Sequence, residues 1–203
     1  MAVLPMFPLG TVLLPGVVLP LHVFEPRYQQ LVRDCLDASE HEFGVVLIDR
    51  GNEVGGDDSR LPVGVVATML QVAAMDDNRF AVVTVGTRRI RVIQWLPDDP
   101  YPRAEVEDWP DEFGATAQDH LEATAARARS CAGLAVEMGD RSGVPEIELT
   151  GDPSADTFLL AAMCPFGPAD QYAALSAADP CTRLDLIDRL LDDVEAGLRF
   201  RLG

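Results

Sequence analysis

The chain has no lysine: all 16 of its basic residues are arginine. This excludes, within the chain, a Schiff-base lysine, a Ser–Lys catalytic dyad and the lysine of a phosphate-binding P-loop. Positive charge is also scarce, since 33 acidic residues leave a formal net charge of −17. A surface of that sign repels phosphate backbones and anionic lipid headgroups. We therefore expect neither nucleic acid nor a membrane as the partner.

Cysteine is rare too, and none of the four cysteines has a CxxC partner. This excludes a zinc ribbon and a thioredoxin-type motif. The N-terminus has no basic leader, prolines interrupt its apolar stretch, and no segment has about 18 uninterrupted apolar residues. We predict a cytoplasmic protein that does not cross a membrane. Cys35 should be a buried small hydrophobe, whereas Cys164 and Cys181, near predicted helix ends, should be more reactive.

The usual catalytic constellations are missing. None of the serines lies in GxSxG, and a Ser–His–Asp site would need one of three histidines. His22 lies in an apolar, strand-like run, His41 in an acidic loop and His120 on an alanine-rich helix, so each favours a structural or solvated role. Glu40, His41 and Glu42 are sequence neighbours without the i, i+4 spacing of a helical zinc site. We predict no catalytic residue, no metal and no cofactor.

The first half of the chain is predicted to be mostly β-structure. Residues 2–24 form short extended segments in which prolines indicate strand edges or turns. Glu25-Pro26 indicates the start of a helix. Its apolar stripe comprises Tyr28, Leu31, Val32, Cys35 and Leu36. Further strands are predicted at 43–48, 63–75, 80–96 and 101–109, with a polar, glycine-rich loop over 49–61. Residues 1–110 are therefore expected to form a small barrel with one helix.

The second half is predicted to be helical. The composition shifts at Pro110-Asp111-Glu112, and a long alanine-rich helix follows over 113–140. Shorter helices are expected from Ser154 or Asp156 to Met163 and over 169–176. The last helix starts at Asp179-Pro180. Its apolar positions, Leu184, Ile187, Leu191, Val194 and Leu198, have heptad-like spacing. This spacing favours packing within the chain's own bundle, with a coiled partner helix as the alternative. We predict a helical domain over 111–203.

Several segments, taken in order, resemble one known family. They are FPLGTVLLPGVVLPLHVFEPRY from Phe7 to Tyr28, then FGVVLI, EVGG, VGVVATM and PYPRAEVE, and finally ADTFLLAAMCPFGPADQYAALSAADPCTRLDLIDRLLDDVE. Together they resemble the N-terminal substrate-binding domain of Lon proteases over nearly the whole chain. The resemblance implies an α+β fold, with a PUA-like β-barrel that contains one helix, followed by an α-helical bundle.

The resemblance also implies a function. Full Lon proteases carry an ATPase and a Ser–Lys peptidase, for which this chain has no matching positions, so we predict that it is not an enzyme. It implies a binding module that holds unfolded or degradation-marked polypeptide, or a protein partner. The alternatives are a stand-alone peptidase-like enzyme, opposed by the missing lysine and motifs, and an RNA-binding PUA-like module, opposed by the charge of −17.

The candidate binding residues are Leu13, Leu14 and Val17, which flank the Pro15-Gly16 turn. Exposed apolar patches often mark partner sites, and this turn would present one. The alternative is that these residues fill the barrel. The motif HVFEPRY at 22–28 is expected to be structural, with Pro26 starting the helix and its flanking charges, Glu25 and Arg27, paired with each other.

Overall fold

The computed structural model describes residues 2–50, 59–112, 118–137 and 149–202. Tertiary contacts divide the chain into two compact units, Met1–Pro110 and Asp111–Gly203. The first unit is a mixed sheet with one α-helix, and the second contains four helices among the residues described. This confirms the predicted α+β fold class. Within the described residues, no helix is long and apolar enough to cross a membrane.

The sheet of the first unit closes on itself. Its strands are β1 (Ala2–Leu9), β2 (Val18–Val23), β3 (Glu42–Arg50), β4 (Ser59–Ala74), β5 (Phe80–Leu96) and β6 (Arg103–Asp108). Their order is β2-β5-β4-β3-β1-β6, and an additional β5–β6 pairing closes a ring. The β1–β3 pair is parallel and the other pairs are antiparallel. Closure leaves β2 outside the ring, attached to β5.

Strand β5 can serve two partners on one edge because it is long. Its residues Phe80–Val85 pair with β2, and Ile90–Leu96 pair with β6. Gly86 lies between these two stretches and donates its amide hydrogen to the Val17 carbonyl, at 2.9 Å. A Cβ atom at Gly86 would lie 2.4 Å from the carbonyl oxygen of Leu14. Only glycine therefore lets the turn before β2 approach β5 this closely.

The interior of the ring is an apolar cluster. It comprises Leu4, Met6, Val46, Val66, Ile90, Ala104 and Val106, with Val92 and Trp95 packed against it. These residues come from all five strands of the ring, so the closed sheet and the core depend on each other. The predicted strands are confirmed. Strands β3 and β4, however, extend to Arg50 and from Ser59, into the predicted loop, because backbone pairing continues through polar residues; residues 51–58 of that loop lie outside the described residues.

Helix α1 (Pro26–Asp37) packs its apolar stripe against the sheet. Tyr28, Leu31, Val32 and Cys35 are buried as predicted, whereas Leu36, in the last turn, is 41% exposed. The Tyr28 ring stacks on Phe7 with 4.1 Å between ring centroids. The predicted local ion pair is also confirmed, since Arg27 Nε donates to Glu25 at 3.1 Å.

The helices of the second unit are α2 (Gln118–Glu137), α3 (Pro153–Met163), α4 (Pro168–Leu175) and α5 (Pro180–Leu202). Helix α3 begins just before the two predicted starts, because the carboxylate of Asp152 caps it by accepting the Ser154 amide at 3.0 Å. Leu184, Ile187 and Leu191 of α5 are fully buried. The interpretation of α5 as part of the chain's own bundle is therefore confirmed for these three residues. The side chain of Leu198 lies outside the described residues.

Candidate functional site

The three candidate binding residues do not form an exposed apolar turn. Leu13 and Leu14 are each only 2% exposed, and Val17 is partly buried. The turn folds back on β5 because Gly16, with φ of 80°, donates its amide to the Gly86 carbonyl at 2.8 Å. The two leucines are buried in the core, as the alternative prediction states. A binding role for the three residues stays a prediction.

A different apolar surface lies on and around β2. Large apolar side chains are exposed here: Val18 and Phe24 at 55% each and Met75 at 43%. His22, Val23 and Phe24 lie between two clefts and line both of them. We call residues Val18–Glu25, together with the lining of these two clefts, the β2 surface.

The two clefts of the β2 surface are small. The first is about 180 Å³ and is lined by Phe7, Leu9, Pro20–Glu25 and Tyr28. The second is about 150 Å³ and is lined by His22, Val23, Phe24, Met75, Arg79 and Phe80. Small-molecule sites typically measure about 300–1,000 Å³. Each cleft alone is therefore smaller than a typical small-molecule site.

Where β2 pairs with β5, and Phe80–Val85 of β5 with β4, the outward face of the sheet carries no Asp, Glu or Arg side chain, and Glu42 of β3, opposite Thr68, borders this patch. Residues that lie directly opposite each other in an antiparallel sheet share a face, and alternate residues of a strand lie on opposite faces. The register therefore places nine side chains on the outer face of β2, β5 and β4. They are Val18, Pro20 and His22, then Ala81, Val83 and Val85, then Thr68, Gln71 and Ala73. All nine are exposed or partly exposed, and none of them is Asp, Glu or Arg, on a chain of net charge −17.

Charged groups lie at the margins of the β2 surface. Glu25 is paired with Arg27, and the Arg33 guanidinium lies 5.4 Å from the centroid of the Phe80 ring. At the tip of the β4–β5 hairpin, Asp77 lies 3.8 Å from Arg79 and both are exposed. The apolar centre is thus bordered by charges that already have partners.

The basic cluster Arg88-Arg89-Arg91 is engaged within the first unit. Arg88 binds Glu42 at 2.6 Å and Asp108 at 3.0 Å, and its hydrogen bond to Glu42 raises the pKa of the guanidinium. Arg89 and Arg91 both stack on the Trp109 ring, at 4.1 and 4.0 Å from its centroid. A cluster held in this way is not an open basic patch for phosphate groups.

The three histidines have different neighbours. His22 is exposed on β2; His41 Nδ1 lies 2.9 Å from the Cys35 carbonyl and His120 Nε2 lies 2.5 Å from Asp188. In the part of the chain that the structure describes, no group of three or more His, Cys, Asp or Glu residues is arranged to hold a metal ion. The expectation that Cys164 is more reactive than Cys35 was wrong, because both thiols are buried, at 3% and 2% exposed, and burial raises the pKa of each to about 12. Cys181 is exposed, as its reactivity would require.

Sequence reasoning missed the β2 surface. Phe24 and Met75 are far apart in the chain, and only the pairing of β2 with the hairpin of β4 and β5 brings them to one cleft. One signal was present: Pro20, within an apolar run, is typical of an edge strand. An edge strand flanked by exposed apolar side chains presents backbone hydrogen-bonding groups next to apolar surface.

A family model described as the ATP-dependent protease La (LON) substrate-binding domain matches residues 3–193. Among curated relatives, a Lon protease of Anaeromyxobacter dehalogenans is 29% identical over 203 residues, which cover 99% of this chain and 22% of that protein. A Lon protease 2 of Sorangium cellulosum is 30% identical over 194 residues, 90% of this chain and 24% of that protein. The chain thus spans about a quarter or less of the length of these relatives.

Two solved structures are similar to the whole chain. The crystal structure of a Lon N-terminal domain protein from Xanthomonas campestris has a TM-score of 0.65 and 27% identity, covering 91% of this chain and 96% of that one. The N-terminal domain of a Mycobacterium avium complex Lon protease has a TM-score of 0.62 and 21% identity, covering 95% and 99%. The second likeness concerns the fold alone.

Proposed function

The chain belongs to the family of Lon substrate-binding domains, and from that premise we propose that it is a non-catalytic module that holds unfolded or degradation-marked polypeptide at the β2 surface. The observation that carries the proposal is the exposed, mostly apolar face, which has no Asp, Glu or Arg among its nine side chains, and its two adjoining clefts, on a chain that is otherwise strongly acidic. Unfolded polypeptide exposes apolar side chains, which such a surface removes from water.

The alternatives are less well supported. A peptidase of the Ser–Lys type would need a lysine, and the chain has none. An RNA-binding module would need free basic groups, whereas Arg88 is paired with two carboxylates. Polypeptide binding requires only the β2 surface, and neither a lysine nor free basic side chains.

Val17 remains a candidate contact within this proposal, because it is partly exposed immediately before β2. Leu13 and Leu14 would act from the core, by holding the turn that leads into β2. Substitution of these leucines is expected to lower stability together with binding, so they are poor probes of direct contact.

The test is fluorescence anisotropy of a labelled, permanently unfolded model protein titrated with this chain. Phe24→Ser and Met75→Ser are expected each to weaken binding by about tenfold, because both exposed side chains line the second cleft. Phe200→Ser is the matched control, since Phe200 is 88% exposed on α5, outside the β2 surface. Circular dichroism would verify that all three variants fold.

Saturable binding with the labelled protein intact on a gel would support a recognition module. Cleavage that persists through purification would instead support the peptidase. The β2 surface would be excluded as the site if Phe200→Ser weakened binding as much as Phe24→Ser, and the absence of binding at high micromolar concentration would overturn the proposal.

A further inference from the structure

Strand β2 has a free edge. In the described part of the chain it pairs with β5 and with no other strand. A strand edge presents unpaired N–H and C=O groups, which makes it a template for another extended chain. Which groups are presented depends on which residues of β2 face β5.

The odd-numbered residues of β2 face β5. The Val17 carbonyl, just before the strand, accepts the Gly86 amide at 2.9 Å, and the Leu19 carbonyl accepts the Thr84 hydroxyl at 2.9 Å. Hydrogen bonding alternates along an antiparallel strand, so the even-numbered residues face away. Pro20 agrees with this assignment, because it has no N–H to give to β5. The free edge is therefore formed by Val18, Pro20 and His22.

The larger cleft of the β2 surface lies beside this edge. Phe7 and Leu9, at the end of β1, contribute to its lining together with Pro20–Glu25. At this end, β1 pairs with β3 through Met6–Leu9, whereas β6 pairs only with Ala2–Pro5. The cleft thus lies between residues of β2 and apolar residues at the end of β1. Apolar side chains of an added strand would enter it while its backbone pairs with β2.

The surroundings indicate which segments would fit. The patch of outer face formed by β2, Phe80–Val85 of β5 and the part of β4 paired with them carries no Asp, Glu or Arg. At the nearby hairpin tip two carboxylates, Asp76 and Asp77, are exposed beside one arginine, Arg79, and the chain as a whole carries −17. Charge complementarity therefore favours an uncharged, apolar segment flanked by basic residues.

We infer that the β2 surface takes its polypeptide as an added β-strand, paired with the free edge formed by Val18, Pro20 and His22. The occupant is a short, extended, apolar segment with basic flanks. This inference rests on the proposed function and specifies its mode of recognition. Pro20 supplies a carbonyl but no amide, so one backbone hydrogen bond to the added strand cannot form. The interrupted pairing favours transient binding over permanent association.

The test uses a labelled peptide of about eight residues, alternating valine and serine with arginine at both ends. Two isomers carry N-methyl groups on the same number of amides, one on the valines and the other on the serines. Only one of these sets faces β2 in an added strand. One isomer is therefore expected to bind like the parent, and the other about tenfold or more weakly, through loss of several backbone hydrogen bonds. If the valine side chains enter the cleft, the isomer that binds more weakly shows whether the added strand runs parallel or antiparallel to β2.

A pair of protein variants tests the same edge from the other side. His22→Pro removes the amide that faces the free edge. Pro20 already shows that β2 can contain a proline at such a position. His22→Val removes the imidazole and keeps the amide. His22→Pro should bind the parent peptide about tenfold more weakly than His22→Val does. If His22→Pro does not fold, the methylated peptides still decide the question.

Each outcome has one meaning. A difference between the isomers supports strand addition. Equal binding of the two isomers, or loss of binding with both, overturns pairing through a single edge, and binding of the unfolded model protein would then leave the proposed function intact. Failure of the parent peptide while the unfolded protein binds also overturns strand addition. If neither the peptide nor the unfolded protein binds, the proposed function itself fails.

Discussion

Arg183 is a fully buried charge whose side chain is satisfied on every side. Its guanidinium donates to both carboxylate oxygens of Asp111, at 3.0 and 2.5 Å, to the Thr157 hydroxyl at 2.8 Å and to the Ala174 carbonyl at 3.1 Å. The side chain of Asp111 is itself only 8% exposed. The ion pair connects the first residue of the second unit to α5. Each charge would be costly to bury without the other.

We expect Arg183→Met to destabilise the second unit by about 3–5 kcal/mol, because it leaves the Asp111 carboxylate buried without its cation. The measurement is urea unfolding followed by the helical signal in circular dichroism.

Arg127→Met is the matched control for that substitution. Arg127 has three carboxylate partners, Asp188, Asp192 and Glu195, but it is 33% exposed. Solvent screens such pairs, so the loss should be about 1 kcal/mol or less. Equal losses for the two variants would show that burial does not set the strength of these ion pairs.

Two thiols are expected to make stability depend on alkaline pH. Burial raises the pKa of Cys35 and of Cys164 from 9.0 to about 12 each. Because the pKa of each thiol is raised in the folded state, folding favours the protonated thiol. Its contribution to the free energy of unfolding is complete below about pH 9 and is lost as the pH rises toward 12. The free energy of unfolding should fall by about 1.4 kcal/mol per pH unit for each thiol above pH 9. Urea unfolding at a series of pH values measures this slope.

The controls for the thiols are single substitutions. Cys35→Ala and Cys164→Ala should each make the alkaline slope shallower, whereas Cys181→Ser should leave it unchanged because Cys181 is exposed. A slope that stays the same in both alanine variants would contradict the assigned cause.

Within the secondary-structure elements, two glycines have opposite roles. Gly64 lies in β4 opposite Val46 of the neighbouring strand β3, and a Cβ atom there would lie 2.3 Å from the Val45 carbonyl oxygen. Gly133 lies in α2 and has nothing within 4 Å of the Cβ position. The first glycine permits close packing of two backbones, whereas the second leaves the helix with unneeded flexibility.

We therefore expect Gly64→Ala to destabilise the protein by about 1–3 kcal/mol and Gly133→Ala to stabilise it by about 0.5–1 kcal/mol. Thermal unfolding measures both effects. Since the substitution is the same at both sites, a loss of stability at Gly133 would show that helix propensity does not govern that position.

Local spacing was enough to predict most elements but not the site. The stripe that begins at Tyr28 predicted α1 and its buried face, because helical period alone decides which residues share a side. The sequence leaves open whether Leu13 and Leu14 are exposed or fill the barrel, because their burial depends on Gly86, which is remote in sequence. The clefts depend on the register of β2 with β5, which brings Phe24 to Met75, and no local pattern encodes that register.

At the scale of the whole molecule, the division at Pro110 allows the first unit to be tested separately. It contains all the described strands, helix α1, the β2 surface and both tryptophans of the chain. We expect a fragment of residues 1–110 to fold alone, because its core is assembled from its own strands. Tryptophan emission and circular dichroism measure folding, and anisotropy measures binding, which should lie within about threefold of the full chain.

The complementary fragment of residues 111–203 is the control and should not bind the unfolded model protein. An unfolded 1–110 fragment would show that the boundary divides contacts but does not separate two independently folding domains. A folded 1–110 fragment without affinity would move the binding site away from the β2 surface.

Pro20 also determines how copies of this protein behave toward one another. A free strand edge can pair with the same edge of a second copy, and around a two-fold axis the strands would run antiparallel. Pro20 lies near the middle of β2, so both copies would lack a donor close to that axis. Pro20→Val restores the amide, and sedimentation at equal concentrations should show a larger fraction of dimers or larger aggregates for this variant than for the parent chain. This single proline would thus hinder self-association through the edge of β2 while leaving the edge able to bind another polypeptide.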